Sequence, residues 1–464
     1  MRLVLKNFHI VDETSNFVGS VVIDNGIIGA VISDEEDFPQ NVLNTKEVER
    51  AEVDADMVIQ GRRKLTLMPA FIDLHAHFRD PGFPDKETLE SASLAAAAGG
   101  YGTVVCMANT KPVTDTLEKA AALKKRSDVL NLIDLYPVLS LTKNMDGKEL
   151  SGISELPAGD GQARLPLMLS EDGKDINDEA IFLAALKEAR RLGVPVSCHC
   201  DFGGGEAETA KQQRKPRSVW SRIEENNGVR RAIELGKQAG CHIHIAHVST
   251  KESAEMIRNT KSTLPPSTLH SPSFTLTCEA TPHHISCTEG DAHKLGDESY
   301  GRVNPPLRTE EDRQAIIAAI QDGTIDAIAT DHAPHTKADK AAGAPGFTGL
   351  ETGFASCYTN LIAKNDQPET GRSGDSRQKK FDLRRLSALM SANPARILGL
   401  DDRGRIAPGL RADLVIADLN AVRTVKGNNF YSRGHCTPFE GWELWGKILM
   451  TIQRGRIVFS AGEQ

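Results

Sequence analysis

Hydrophobic and polar positions change character twice along the chain. Near the N-terminus the runs LVLKNFHIV and VVIDNGIIGAVI show short β-type patterns broken by Gly and Asn turns. GLRADLVIADL and GKILMTIQRGRIVF repeat that character near the C-terminus. Between about 66 and 400, apolar runs alternate with helix-like stretches. The strand candidates are TLMPAFIDLHAH, GTVVCMANT, NLIDLYPVLS, LPLMLSEDG, VPVSCHCD, HIHIAHVST, FTLTCEATPHH and IDAIATDHAPH. Among them lie ETLESASLAAAAGG, DEAIFLAALKEARRLG, GVRRAIELGKQAG and TEEDRQAIIAAIQDG, each closing near Gly as a helix C-cap should. Eight such strand–helix units predict an α/β fold, a (β/α)8 TIM-like barrel over 66–404. The outer segments, 1–65 and 405–464, are expected to pair into one small β-sandwich domain. A doubly wound sheet competes with the barrel, but no G-x-G-x-x-G follows a strand, which argues against dinucleotide binding. Polar stretches at 260–275 and 364–380 read as surface insertions.

Composition narrows the function classes. With 464 residues, 39% hydrophobic and 25% charged, the chain can bury a large core without disulfide staples. A net charge of -8 argues against a nucleic-acid-binding field. Much of that deficit is local, because 31–60 holds nine acids against two bases. No apolar run approaches the ~20 residues that span a bilayer. Lys6 and Asp12 interrupt the N-terminus too early for a secretory segment. Eight cysteines without regular spacing, most in apolar runs, read as reduced, buried thiols of a cytoplasmic protein.

The placement of the 14 histidines carries the strongest chemical signal. His75 and His77 end the first central strand, His199 another, His244 and His247 a third, His283 and His284 a fourth. Asp331, His332 and His335 close the last. A barrel builds its site from the C-terminal ends of its strands, so these groups are expected to converge on one mouth. His75 and His77, two apart on a strand, point to the same side and can grip one ion together. A pair of buried imidazoles is costly unless something satisfies it. Imidazole and carboxylate donors suit zinc or a similar first-row divalent ion, and His247 and Asp331 gain meaning by joining that set. His9, His270, His293 and His435 read as ordinary hydrogen-bonded histidines. For His242, His244, His283, His284 and His332, packing or support of a ligand is the expectation.

The segments MPAFIDLHAHFRDPG, MANTKP, IHIAHVST, CEATPHH, GRVNPPLR, ATDHAPHT, PGFTGLET and GRIAPGLRADLVIADL resemble, over nearly the whole chain, the dihydroorotase branch of the cyclic amidohydrolases. The resemblance implies one metal on His75, His77 and Asp331, and a second on His199 and His247, with one or two Zn2+ per chain. Many relatives bridge the metals with a carbamylated Lys on the fourth strand. This chain reads LPLMLSEDG there, so Asp172 is the bridging candidate, with Glu171 second. Before Gly173, Asp172 also reads as a turn residue.

The resemblance further implies reversible cyclisation of N-carbamoyl-L-aspartate to L-dihydroorotate in pyrimidine biosynthesis, by metal-activated hydroxide with Asp331 as general acid/base. The substrate's side carboxylate would be held by Arg79, Asn109 and His335, with Asn304 on the ring. Arg79 supplies the bidentate geometry that a carboxylate requires. The Gly-rich stretch 341–353 reads either as a closure over the substrate or as an ordinary loop. A homodimer and an association with aspartate transcarbamoylase are both compatible with this reading. Two alternatives stand beside it: a hydantoinase or allantoinase, and a non-catalytic scaffold for aspartate transcarbamoylase.

Overall fold

A computed structural model describes residues 1–34, 51–158, 165–202, 204–214, 217–264, 274–292, 298–364 and 381–462. His270, His293, the acidic segment 35–50, and 265–273 and 365–380 of the two polar insertions lie outside the described residues.

The eight expected central strands are present and parallel. Phe71–Ala76, Tyr101–Cys106 and Asp134–Pro137 form one arc. Leu169–Ser170, Val196–Cys198, His242–Ile245, Thr275–Ala280 and Ala327–Ile328 form the other. Parallel bridges span both gaps: Leu139 with Leu169, and Ala76 with His332. The arcs therefore follow one another round a ring. Nearly every strand residue is buried, as expected where helices cover the outside and side chains fill the middle. The sequence dictates the helix limits through their caps. Asp178 caps Glu179–Leu192 and Gly193 ends it at φ 70; Thr309 caps Glu310–Asp322 and Gly323 ends it at φ 86. The stretch GVRRAIELGKQAG is the second half of a longer helix, Arg217–Ala239.

One strand differs from expectation. TLMPAFIDLHAH is two strands, not one. Thr66–Pro69 pairs with His9–Ile10 and with Leu414–Ala417, whereas Phe71–Ala76 pairs with the second barrel strand. Pro69 cannot donate to a ladder, and Ala70 N–H turns to Asp413 O at 2.9 Å, so the chain changes sheets there. The outer sheet thus extends past the expected limit at residue 65.

Strands from both chain ends share that outer sheet. Its order is Arg456–Ser460, Glu443–Gln453, Leu414–Thr424, Thr66–Pro69, Arg2–Val11, Asn16–Asp24 and Ile27–Ser33, with Met57–Gln60 beside Arg2–Val11. In hydrogen-bond order it is one continuous sheet, and it rolls until Ile27 bridges Arg411. Bulges at Leu5/Phe8 and Ile416/Ala417 sharpen the twist that lets it roll. Leu3, Leu5, Phe8, Val21, Ile28, Leu414, Ile416 and Ile452 fill its interior.

A buried ionic cluster fastens this sheet to the barrel. Asp134, on the third barrel strand, accepts from Arg403 Nη1, Arg411 Nη1 and Arg454 Nη2, each at 2.7 Å. Burial alone would raise the Asp134 carboxyl, but Arg411 and Arg403 outweigh it and hold it at about 2. A carboxyl depressed from its unfolded value stabilises the fold above that unfolded value. The contribution fades as pH falls from about 4 toward about 2. Asp134→Asn is expected to lower the unfolding free energy by about 3 kcal/mol at neutral pH in denaturant titration, since it removes the buried carboxylate that three guanidinium groups share and leaves only Asp402 and Asp413 to pair with Arg403 and Arg411. The difference from wild type should shrink on acidification over that window.

Candidate metal centre

Six side chains predicted to gather do so, each from the C-terminal end of a barrel strand. His75 and His77 come from the first strand and Asp172 from just beyond the fourth. His199, His247 and Asp331 follow the fifth, sixth and eighth. His75 Nε2 lies 3.2 Å from Asp172 Oδ1, and His77 Nε2 lies 3.3 Å from Asp172 Oδ2. On the other side, His199 Nδ1 is 3.0 Å and His247 Nε2 3.8 Å from Asp172 Oδ1. Asp331 Oδ1 is 3.2 Å from His77 Nε2 and 3.7 Å from His75 Nε2. Two groups able to hold a metal result, His75/His77/Asp172 and Asp172/His199/His247, with Asp172 common to both.

The two acids after the fourth strand face different ways. Glu171 faces away, accepting from Leu141 N–H at 2.9 Å, Thr142 N–H at 3.1 Å and the Thr142 hydroxyl. It ties down the 141–142 loop.

The donor set fits a divalent cation. His75 Nε2 and Asp172 Oδ1 are buried and have no hydrogen-bond partner among the described residues, which is costly unless a cation sits between them. Charge leads the same way. Burial alone would lower both His75 and His199, but Asp172 overrides it, raising His75 well above its usual value and pushing His199 up to about 10. Burial would raise the Asp172 and Asp331 carboxyls, yet the surrounding imidazoles hold both far below the usual carboxylate range. The acids demand positive charge at this spot.

Neighbours set which ring nitrogen is free. Glu279 Oε1 takes His75 Nδ1 at 3.1 Å, while its Oε2 takes His244 Nε2 at 3.0 Å and Thr277 Oγ1 meets His244 Nδ1 at 2.8 Å. His75 is therefore left with Nε2 toward the cluster. Asn109 Oδ1 does the same for His77 Nδ1 at 2.9 Å. Glu279 was not among the sequence candidates. Its signal was available, as a single charge inside the wholly buried strand Thr275–Ala280. His283 and His284 sit on a short helix, Pro282–Ser286, rather than on a strand end. His332 holds backbone, its Nδ1 accepting from Gly349 N–H at 3.2 Å.

Of the residues expected at the substrate, Arg79 and His335 lie together, and Asn109 and Asn304 lie beside His77 and His199. Arg79 donates through Nε to Pro334 O at 3.4 Å, and its Nη2 lies 3.3 Å from His335 Nε2. Asn304 Nδ2 lies 3.2 Å from His199 Nε2 and 3.3 Å from Asp201 Oδ2, while Arg217 Nη2 donates to Asn304 Oδ1 at 2.9 Å. Asp201 and Arg217 were not foreseen. Asn109 is tied to the cluster through His77 and through Asp172 O at 3.4 Å. The 341–353 stretch is pinned at the rim, with Lys340 Nζ donating to Arg302 O at 2.8 Å and Gly346 O at 2.7 Å. Three site residues are held in the left-handed region, Arg79 at φ 57, His247 at φ 34 and Asp331 at φ 49. Such conformations cost on the order of 1–3 kcal/mol each and gather where function needs a fixed aim.

Asp172→Asn is expected to abolish tight metal binding, measured as metal per chain after gel filtration. Glu171→Gln should leave that ratio unchanged and lower only thermal stability. Equal losses in the two variants would refute the assignment of Asp172 as the shared carboxylate.

Comparison with known proteins identifies the family. The model of the amidohydrolase family matches residues 66–458. A curated dihydroorotase from Clostridium botulinum is 38% identical over 459 residues, covering 99% of this chain and 100% of that protein. A dihydroorotase from Ligilactobacillus salivarius is 33% identical over the full length of both. Among solved structures, the L-hydantoinase (dihydropyrimidinase) from Arthrobacter aurescens matches with a TM-score of 0.80 at 23% identity, covering 99% of this chain and 96% of that one. The dihydropyrimidinase from Brevibacillus agri matches with a TM-score of 0.77 at 19% identity over 99% and 95%. These structural likenesses speak to the fold, a barrel with an attached β domain. Fold, clustered acids and imidazoles, and full-length similarity agree, and the chain belongs to the amidohydrolase family.

Proposed function

We infer that this protein is a dihydroorotase, opening L-dihydroorotate to N-carbamoyl-L-aspartate and closing it in the reverse, pyrimidine-forming direction. The observation that carries the reading is one juxtaposition. A carboxylate-binding pair, Arg79 and His335, stands on the same rim as Asp331, which touches the imidazole cluster. Full-length similarity to curated dihydroorotases supports it.

His75, His77, Asp172, His199, His247 and Asp331 would hold one or two zinc ions. When bound, such an ion acts as a Lewis acid and brings the pKa of water to about 7. Asp331 does the proton work. Burial opposes its ionisation, but the contact from His77 and the charges of His75, His77 and His247 keep it a carboxylate at neutral pH. It therefore receives the proton of the attacking water and returns it to the ring nitrogen as the C–N bond breaks. Closure runs through the same groups in reverse. Asn109 keeps His77 aimed, and Asn304, its amide oxygen held by Arg217, sets Nδ2 beside His199.

Arg79 and His335 hold the ring carboxylate, so binding energy is gained away from the reacting bond. The hydantoinase or allantoinase alternative lacks a substrate carboxylate for that pair.

The purified metal-loaded protein is expected to hydrolyse dihydroorotate well and hydantoin or allantoin poorly. The opposite preference would overturn the reading. Arg79→Ala should lower kcat/KM by about 100-fold, chiefly through KM, as expected for loss of a charged hydrogen bond pair. Asp331→Asn should instead reduce kcat by about 10²–10⁴.

A further inference from the structure

His335 is caught between two cations. Its Nδ1 faces Lys86 Nζ at 3.4 Å, and its Nε2 faces Arg79 Nη2 at 3.3 Å. Ammonium and guanidinium groups only donate, whereas a neutral imidazole has one N–H and one lone-pair nitrogen. The ring is neutral, because burial, then Arg79 and Lys86, push it down to about 3. One of the two contacts is therefore a hydrogen bond and the other sets donor against donor. A third group biases the choice. Asp339 Oδ2 lies 3.9 Å from His335 Nδ1, and Asp339 Oδ1 lies 3.5 Å from Lys86 Nζ.

We propose that Lys86 is a positioning residue for substrate binding: by donating to Nδ1 it holds His335 as the Nε2–H tautomer, so that Nε2–H and the Arg79 guanidinium form a two-donor fork. Only an acceptor placed between them, such as a carboxylate oxygen, satisfies both donors. Lys86 thus keeps the fork open. Without it, Nδ1 takes the proton and donates toward Asp339, and Nε2 becomes an acceptor for Arg79. The pair then closes on itself, and the substrate carboxylate must displace an internal hydrogen bond to enter. The proposal rests on the dihydroorotase reading for the identity of that carboxylate, but not for the state of the ring.

A merely structural Lys86 would act as a tether. Its ion pair with Asp339 joins the loop after the first barrel strand to the helix Lys337–Ala341, and its ammonium lies 5.6 Å from the Phe83 ring centre. The two roles separate on Asp339. Asp339→Asn removes the ion pair yet keeps an oxygen to accept from Thr336, whose N–H and hydroxyl now bond Asp339 Oδ2 at 3.0 and 2.7 Å. Under the tether role, Asp339→Asn and Lys86→Met do equal harm. Under the tautomer role, only Lys86→Met does.

The test uses the metal-loaded full chain labelled with ¹⁵N-histidine. Two-bond ¹H–¹⁵N spectra report the tautomer, with the His335 signals assigned by His335→Gln, alongside steady-state kinetics on dihydroorotate. Wild type, Lys86→Arg and Asp339→Asn are expected to show Nε2–H, and Lys86→Met to show Nδ1–H. KM should rise about tenfold in Lys86→Met with kcat within about twofold, the loss of roughly one charged hydrogen bond, and Lys86→Arg should recover most of it. Nε2–H retained in Lys86→Met, or an equal KM rise in Asp339→Asn, overturns the proposal. Should wild type fail to turn over dihydroorotate, the functional reading falls, while the spectra still decide what Lys86 does.

Discussion

One carboxylate, Asp172, organises the site. Its two oxygens stand within 3.8 Å of four imidazoles drawn from three different barrel strands. A buried acid so placed must be matched by positive charge, and that demand couples the strands electrostatically as well as through their ladders. The local chain makes the placement feasible. The fourth strand is only two residues long, and Asp172 follows it after Glu171, with Gly173 at φ 89 taking the turn. Space is short there as well, since a side chain at Gly173 would stand 3.2 Å from Asn109 Nδ2.

The join between the first and eighth strands does comparable service. His77 N–H donates to His332 O at 2.7 Å, and Asp331 N–H donates to His75 O at 2.9 Å. Asp73, buried just below, accepts from Thr330 N–H at 2.9 Å and from the Thr330 hydroxyl. Burial lifts its carboxyl to about 7, with the Thr330 bonds opposing. Asp331 is thereby clamped from its own backbone and from its predecessor, so its left-handed conformation is enforced by neighbours rather than left to propensity. A proton carrier gains from such rigidity, because misplacement by an ångström is expensive in rate.

Stability and chemistry occupy opposite ends of the barrel. The Asp134 cluster lies at the foot, where the rolled sheet docks. The imidazoles, Arg79 and His335 lie at the top, where strands give way to loops. The rolled sheet shares work between the chain's two ends, so the first strand of the barrel enters directly from a strand that both ends hold.

Much of this was legible in the sequence. Eight apolar runs, most with His, Asp or Asn near the end and several separated by capped helices, sufficed for the barrel, because strand burial and helix capping are local properties. The HxH pair and the TDHAPH segment marked the cluster for the same reason, since alternation puts both imidazoles on one side of a strand. The split at Pro69, the rolling of the outer sheet, the choice of Asp172 over Glu171, and the parts played by Glu279, Asp201, Arg217 and Lys86 were decided only in three dimensions. Each depends on which residue of a distant strand or loop stands opposite. Glu171 and Asp172 are adjacent acids with the same intrinsic chemistry. One meets the Leu141–Thr142 backbone and the other meets four imidazoles, and that difference arises from packing between strands rather than from any local pattern.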